Sequence, residues 1–263
     1  MELTIKTALK KAGKILMENF GKVDSYEIKE NQSNIVTKAD IDSEMVIVKI
    51  IENKFPNHNI ITEETGYKNK TSDFTWIIDP LDGTSNFSSG IPWFGIIICV
   101  LKYNNPFMAG IYLPFYNLLY FAESGKGATK NNKKIYVSKE TELKNILMTY
   151  SLDYSKDISK TEKESKIITN IVNNIRNLRA TNSVVDFCYT ADGRLGGCIN
   201  QTTKIWDIAA PYLIIKEAGG VVTDINGKDI RFDVKKEDYQ KNFTIVGSNK
   251  ILHPKIMELI NEI

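Results

Sequence analysis

The chain has 263 residues, 42% of them hydrophobic and 25% charged, which is the composition of a folded globular protein and not of a disordered one. Its 34 basic and 32 acidic residues leave a net charge of +2, a balance that argues against a dedicated nucleic-acid binder. The longest apolar run, residues 94–101, is far too short to span a membrane, and three cysteines cannot build a disulfide framework, so Cys99, Cys188 and Cys198 read as core thiols of a cytoplasmic protein.

Apolar residues at Leu3, Ile5, Ala8, Ala12, Ile15, Leu16 and Phe20 predict a helix over 2–19, stopped by Gly21. The same stretch lacks the compact apolar run and cleavage site of a signal peptide. Residues 22–36 are polar and irregular, and a second helix is predicted over 40–53. The period then shortens. Strands are predicted over 58–62, 74–78 and 94–102, the last apolar throughout, as a strand covered on both faces is. A turn at 103–106 leads to strands over 107–112, 118–123 and 135–137, completing an antiparallel meander. Beyond it, strands over 146–149, 177–179, 197–200, 221–223 and 243–246 alternate with helices over 158–175, 184–192, 207–218 and 254–261. Such interleaving implies sheets covered by helix layers, in one domain over 1–263 with subregions of about 1–140 and 141–263.

Two histidines, His58 and His253, lie too far apart for the short-spaced motifs of histidine zinc sites and leave a serine–histidine triad without support. Gly125-Lys126-Gly127 lacks the upstream glycine and following Ser/Thr of a phosphate-binding loop. Carboxylate chemistry remains.

The segment Trp76-Ile77-Ile78-Asp79-Pro80-Leu81-Asp82-Gly83-Thr84-Ser85-Asn86-Phe87 carries most of the signal. An apolar strand runs into Asp79, Pro80 interrupts the ladder, and Asp82 follows before Gly83-Thr84 opens a short helix. Two carboxylates at a strand end can share divalent cations, and amides at a helix start can receive an anion. The chemistry suggested is metal-assisted attack on a phosphate; a plain capped turn uses the same residue types. Glu63-Glu64 again places acids at a strand end, where a solvated loop is the bland reading. Asp40 and Asp207, each at a helix start, read equally as N-caps. Spacing alone does not bring these acids together.

The order Glu63-Glu64, Asp79-Pro80-Leu81-Asp82-Gly83-Thr84, Asn86-Phe87, Trp206-Asp207 and Glu217-Ala218-Gly219-Gly220 resembles the inositol monophosphatase family over nearly the whole chain. The resemblance implies an α/β layered sandwich (α-β-α-β-α) of mixed and antiparallel sheets covered by helix pairs, a homodimer, and a magnesium-dependent phosphomonoesterase site holding two to three ions. By position, Glu63, Asp79 and the Leu81 carbonyl would hold one magnesium, Asp79, Asp82 and Asp207 a second, and a third would lie near Glu63. The Gly83 and Thr84 amides would receive the phosphate. Thr84, hydrogen-bonded to Asp40 and helped by Glu63, would activate the attacking water. The family's mobile loop maps to 27–36, with Lys29 able to reach the metals.

The substrate wall departs from the family pattern. Asn200 stands where an acid often grips inositol hydroxyls, Arg179-Ala180-Thr181-Asn182-Ser183 lacks the usual glycine, and Gly196 replaces a further acid. Asn200, Ser183 and Asp207 remain the candidate substrate contacts. The expected substrate is a small phosphorylated polyol or sugar: inositol 1-phosphate, with fructose 1,6-bisphosphate as the alternative. A regulatory or binding protein retaining the fold, and a metal-dependent nuclease, are the alternatives of other classes.

Overall fold

The computed structural model describes residues 1–23, 25–29, 31–234 and 239–262, so residue 30 of the 27–36 loop lies outside the described residues. In chain order, α1 (Glu2–Asn19) is followed by a small hairpin of β1 (Glu27–Ile28) and β2 (Ile35–Val36), then α2 (Lys38–Lys54), β3 (Asn59–Thr62), β4 (Gly66–Lys68) and β5 (Phe74–Asp82). The five-residue helix α3 (Thr84–Ser88) separates β5 from β6 (Gly95–Lys102), β7 (Asn105–Leu113), β8 (Leu118–Glu123), β9 (Gly127–Lys130) and β10 (Lys133–Lys134). The rest comprises β11 (Leu147–Ser151), α4 (Ile158–Asn174), β12 (Asn177–Arg179), α5 (Val185–Ala191), β13 (Gly197–Thr203), α6 (Ile205–Glu217), β14 (Val221–Thr223), β15 (Phe243–Ser248) and α7 (Leu252–Asn261).

Two sheets result. The first has eight strands in the order β10-β9-β8-β7-β6-β5-β3-β4, antiparallel except where β3 runs parallel to β5. The second has five in the order β12-β11-β13-β15-β14, with β11 parallel to both its neighbours. Side chains alternate across a strand, and β6 shows why its sequence is apolar throughout. Ile96, Ile98 and Val100 face Ile5, Leu9, Ile47 and Ile51 of α1 and α2. Ile97, Cys99 and Leu101 face the opposite layer, with Cys188 of α5 and Ile208 and Ile215 of α6. The same α5–α6 layer packs on Ile245 of the second sheet. Ile167, Ile171, Ile256 and Leu259 of α4 and α7 cover that sheet's outer face over Met148, Tyr150 and Val246. The protein is thus an α-β-α-β-α sandwich.

Several predicted boundaries shift. Helix α2 starts at Lys38 and not at 40, because Thr37 is its cap. Helix α6 starts at Ile205 and not at 207, so Asp207 lies inside its first turn. Strand β5 passes through Pro80 to Asp82 at a bulge, where a missing N–H is tolerated even in a strand paired on both sides. The strand predicted over 135–137 does not form. Pairing with β9 comes from Lys133 and Lys134 instead, and Ile135 only donates to the Ala128 carbonyl at 3.0 Å. The hairpin β1–β2 and the strands β4 and β9 escape the sequence reading because they are short and lack an apolar alternation.

Both histidines are packing residues. His58 stacks between Phe55 and Phe74 and accepts the Trp76 indole N–H at 3.1 Å, while His253 sits 3.1 Å from the Thr223 hydroxyl. All three cysteines are buried thiols, and burial pushes each thiol pKa up. Among the described residues, no helix is long and apolar enough to cross a membrane.

Candidate active site

Asp79 and Asp82 come from the end of β5, Asp207 from the first turn of α6. Their carboxylate oxygens gather within 4.8 Å of one another. The bulge between Asp79 and Asp82 makes this possible: it re-aims the strand so that two acids three residues apart reach one point. Asp79 is buried, and its Oδ1 accepts the Leu81 amide at 3.0 Å. Asp82 is oriented from the other half of the chain, where its Oδ1 accepts the Val184 amide at the start of α5.

Asp207 is not the N-cap of α6. The cap position is Lys204, and Asp207 stands at the third helical residue, where its Oδ2 accepts the Lys204 amide at 2.6 Å. Asp40 stands at the same position of α2. Its Oδ2 accepts the amide and hydroxyl of Thr37 at 2.8 and 2.6 Å, and its Oδ1 accepts the Thr84 hydroxyl at 3.1 Å. That hydroxyl also lies 2.9 Å from the Leu81 carbonyl, so one proton is shared between two acceptors.

Glu63 follows β3, which is parallel to β5 and therefore ends beside it. Glu63 is not one of the three carboxylates within 4.8 Å, but its charge acts on all of them. Lys29 reaches over from the turn of the β1–β2 hairpin and donates to Glu63 at 2.8 Å and to Glu64 at 2.6 Å. Burial works against its ammonium, but the two glutamates more than reverse this and raise the Lys29 pKa.

The acids share one electrostatic problem. Burial first, then the charges of Glu63, Asp82 and Asp207, hold Asp79 well above the usual carboxylate range. Burial lifts Asp82 to about 7, opposed by the Val184 hydrogen bond and reinforced by Glu63. Asp207 is raised by burial and by Asp82 and Glu63, and Glu63 by burial despite Lys29. Burial also lifts Asp40 to about 6, against the opposing pull of its Thr37 hydrogen bonds. Facing carboxylates that repel one another fit a hard cation, and an all-oxygen donor set suits magnesium. The residues present therefore fit the implied metal.

Gly83 and Thr84 sit where β5 turns into α3. Gly83 has φ +83°, and a Cβ there would lie 2.5 Å from the Trp93 carbonyl oxygen and 3.1 Å from Ser183 Cβ, so only glycine fits. Ser183 is thereby placed against the turn. Its Oγ lies 3.1 Å from the Thr181 hydroxyl and accepts the Val185 amide at 3.3 Å. Asn200 stands on β13, and its Oδ1 accepts the Thr202 amide at 2.8 Å. Among the described residues, no hydrogen bond joins Asn200 to the other predicted site residues.

Three supporting residues escape the sequence reading. Asn86 bridges the Trp93 and Thr181 carbonyls at 3.0 and 2.8 Å, fastening α3 to the loop before α5. Buried Asp186 accepts the Thr181 and Ser151 hydroxyls at 2.8 and 3.2 Å, and its charge acts on Asp82. Asp153 accepts the Asn182 amide at 3.0 Å and acts on both Asp82 and Asp207. Asn86 had a signal, being inside the quoted motif; Asp153 and Asp186 lie in segments whose spacing marks nothing.

A sequence profile described as the inositol monophosphatase family matches residues 1–263. The chain is 33% identical to the fructose-1,6-bisphosphatase/inositol-1-monophosphatase of Aquifex aeolicus, over 97% of this chain and 92% of that protein. It is also 33% identical to the Nus factor SuhB of Haemophilus influenzae, with the same two coverages. Among solved structures, the Thermotoga maritima IMPase superposes with a TM-score of 0.88 at 31% identity, covering 99% of this chain and 96% of that one.

Proposed function

The chain belongs to the inositol monophosphatase family, and from that premise we propose that it is a magnesium-dependent phosphomonoesterase acting on an inositol phosphate or a related sugar phosphate. The observation that carries this reading is the convergence of Asp79, Asp82 and Asp207 from two separate segments, beside the Thr84–Asp40 pair.

In this reading Asp79, Asp82 and Asp207 would hold one ion, and Glu63, Asp79 and the Leu81 carbonyl another, with a third site near Glu63. Magnesium there would neutralise charge on the phosphate and make water a better nucleophile at neutral pH. The chain's own residues do the rest. Asp40 takes the Thr84 proton, leaving the hydroxyl oxygen free to accept a proton from the attacking water. The Gly83 and Thr84 amides, at a helix start where the first N–H groups have no intrahelical acceptor, bind the phosphate oxygens. Lys29 neutralises Glu63 and Glu64 from the hairpin side. Ser183, Asn200 and Asp207 are the candidate contacts for the substrate hydroxyls.

Fructose 1,6-bisphosphate is the second substrate to consider, because the Aquifex aeolicus relative carries both activities in its name. A reading of another class, a regulatory factor that keeps the fold, draws on the Haemophilus influenzae relative named as a Nus factor. The deciding experiment is phosphate release with Mg²⁺ from inositol 1-phosphate, fructose 1,6-bisphosphate, 3′-phosphoadenosine 5′-phosphate and 2′-AMP. Turnover of the first two supports the proposal. No turnover of any ester by folded protein at saturating Mg²⁺ refutes it and favours the regulatory reading.

A further inference from the structure

Helix α2 presents one buried row to the candidate site. Asp40, Ser43, Glu44 and Ile47 follow the i, i+3, i+4, i+7 spacing of a single helix face, and all four are buried. Buried polar groups cost free energy unless they are answered, and each polar member of this row meets a different piece of the site. Asp40 accepts the Thr84 hydroxyl at the start of α3, and Glu44 accepts the Glu64 amide beyond the end of β3. Ser43, 0% exposed, donates its hydroxyl to the Pro80 carbonyl of β5 at 2.8 Å.

Ser43 has no part in the chemistry proposed above. A serine within a helix ordinarily turns its hydroxyl back onto the carbonyl four residues earlier or out to water; Ser43 instead reaches another element, 37 residues away in sequence. Its acceptor lies inside the bulge, where the register of β5 with β6 jumps from Asp79 to Asp82. Side chains meet the backbone there. The peptide unit joining Pro80 to Leu81 is held at both ends: its carbonyl accepts from Ser43, and its N–H donates to Asp79 Oδ1 at 3.0 Å. The next carbonyl, that of Leu81, accepts the Thr84 hydroxyl.

We propose that Ser43 is a positioning residue of the metal site: by holding the Pro80–Leu81 peptide it fixes the carboxylate of Asp79 and the spacing at which Asp79 and Asp82 converge. The proposal rests on the reading of these acids as magnesium ligands. Without the serine hydroxyl the buried Pro80 carbonyl loses this partner, and the peptide whose N–H orients Asp79 is free to tilt. A hydrogen bond that only supports the fold would affect stability alone. One that orients metal ligands also affects cation affinity or activity, typically by about 10–100-fold.

The test is titration calorimetry of the full chain with Mg²⁺, alongside thermal melting without the metal. Ser43→Ala is expected to bind Mg²⁺ about tenfold more weakly than wild type and to melt about 2–4 °C lower in its absence. Ile51→Val is the matched control. It trims a fully buried side chain about two turns further along the same helix, and should melt about as far below wild type while keeping its Mg²⁺ affinity within about twofold. In phosphate release, Ser43→Ala should need about tenfold more Mg²⁺ for half-maximal rate, with KM for the ester at saturating Mg²⁺ within about twofold of wild type. If Ser43→Ala does not fold, Ser43→Cys fills the same space with a weak donor and should weaken Mg²⁺ binding by about threefold or more. Wild-type Mg²⁺ affinity in the folded Ser43 variant, or an equal loss of affinity in Ile51→Val, would overturn this proposal alone. Absence of Mg²⁺ binding by the wild type would overturn the metal reading and this proposal with it.

Discussion

Replacing Asp40 by asparagine separates the two tasks that its carboxylate performs. One oxygen starts α2 by accepting the Thr37 amide and hydroxyl at 2.8 and 2.6 Å; the other accepts the Thr84 hydroxyl at 3.1 Å. In Asp40→Asn the amide oxygen can stay on Thr37, which keeps the cap and turns the NH₂ toward Thr84. Burial, set against the Thr37 bonds, leaves Asp40 at about 6 in place of 3.8, so at neutral pH its charge is a net cost of about 3 kcal/mol with those bonds already included. Asp40→Asn should therefore be no less stable in urea than wild type.

Catalysis should respond quite differently. An NH₂ group facing Thr84 cannot accept its proton, so the hydroxyl is left donating to the Leu81 carbonyl with no base to take its proton. Losing general-base assistance costs about 10²–10⁴ in rate, or about 3–5 kcal/mol in barrier. The assay is phosphate release from inositol 1-phosphate at saturating Mg²⁺. Thr84→Val should lose as much, and the double variant no more than either single one, because residues acting as a unit are not additive. A folded Asp40→Asn protein within about fivefold of wild-type kcat/KM would refute the argument, as would a double variant whose losses simply multiply.

Three further outcomes are expected. Asp207→Asn can keep an oxygen on the Lys204 amide, so it should fold normally yet lose about a hundredfold or more in turnover; near-wild-type rates at saturating Mg²⁺ would leave Asp207 a helix-start residue only. Gly83→Ala, with φ +83° and a Cβ 2.5 Å from the Trp93 carbonyl, should lose about 2–4 kcal/mol by chemical denaturation together with its activity, and a loss below about 0.5 kcal/mol would mean the turn yields. Chelated protein should lose stability as pH rises. Asp82 is raised to about 7 in the folded state, so the folded form binds more protons than the unfolded one, and its stability is complete below about 4 and falls as pH climbs through 7. The gain in melting temperature from Mg²⁺ should therefore grow between about pH 5 and pH 8; a gain that is flat across this window would count against a cation among these acids.

The layers of the fold were legible because they follow from apolar periodicity. The uninterrupted run of β6 required cover on both faces, and the structure supplies it from α1–α2 on one side and α5–α6 on the other. What periodicity could not carry was anything short or polar: the Lys133–Lys134 pairing of β10, the hairpin that aims Lys29, and the passage of β5 through Pro80. Much of the candidate site was legible from its motif, because Asp79, Asp82, Gly83 and Thr84 lie within six residues. The contribution of the second half was not. Val184 orients Asp82 across 102 residues of sequence, and Asp186 and Asp153 act on it through space; contacts made only by tertiary packing leave no local trace.

Asp40 and Asp207 show why one sequence pattern supported two readings that seemed to exclude each other. An acid at a helix start reads as a cap or as a ligand, and the choice looks binary as long as the carboxylate is treated as one acceptor. It has two oxygens. At the third helical position, one oxygen turns back onto the amide at the cap position, Thr37 in α2 and Lys204 in α6. That bond fixes the side chain's rotamer and leaves the second oxygen aimed away from the helix. In Asp40 the second oxygen meets Thr84, and Asp207 gathers with Asp79 and Asp82. The capping bond is thus what makes the functional oxygen rigid. A site built this way loses little entropy when it engages a ligand, because folding has already ordered the group. By the same reasoning, a shorter or longer side chain at either position should be worse than the neutral isostere. Asp207→Glu retains the charge but cannot place both oxygens as the aspartate does, so it should lose turnover at least as severely as Asp207→Asn. Recovery of activity in the glutamate variant would show that charge alone, without the fixed geometry, suffices.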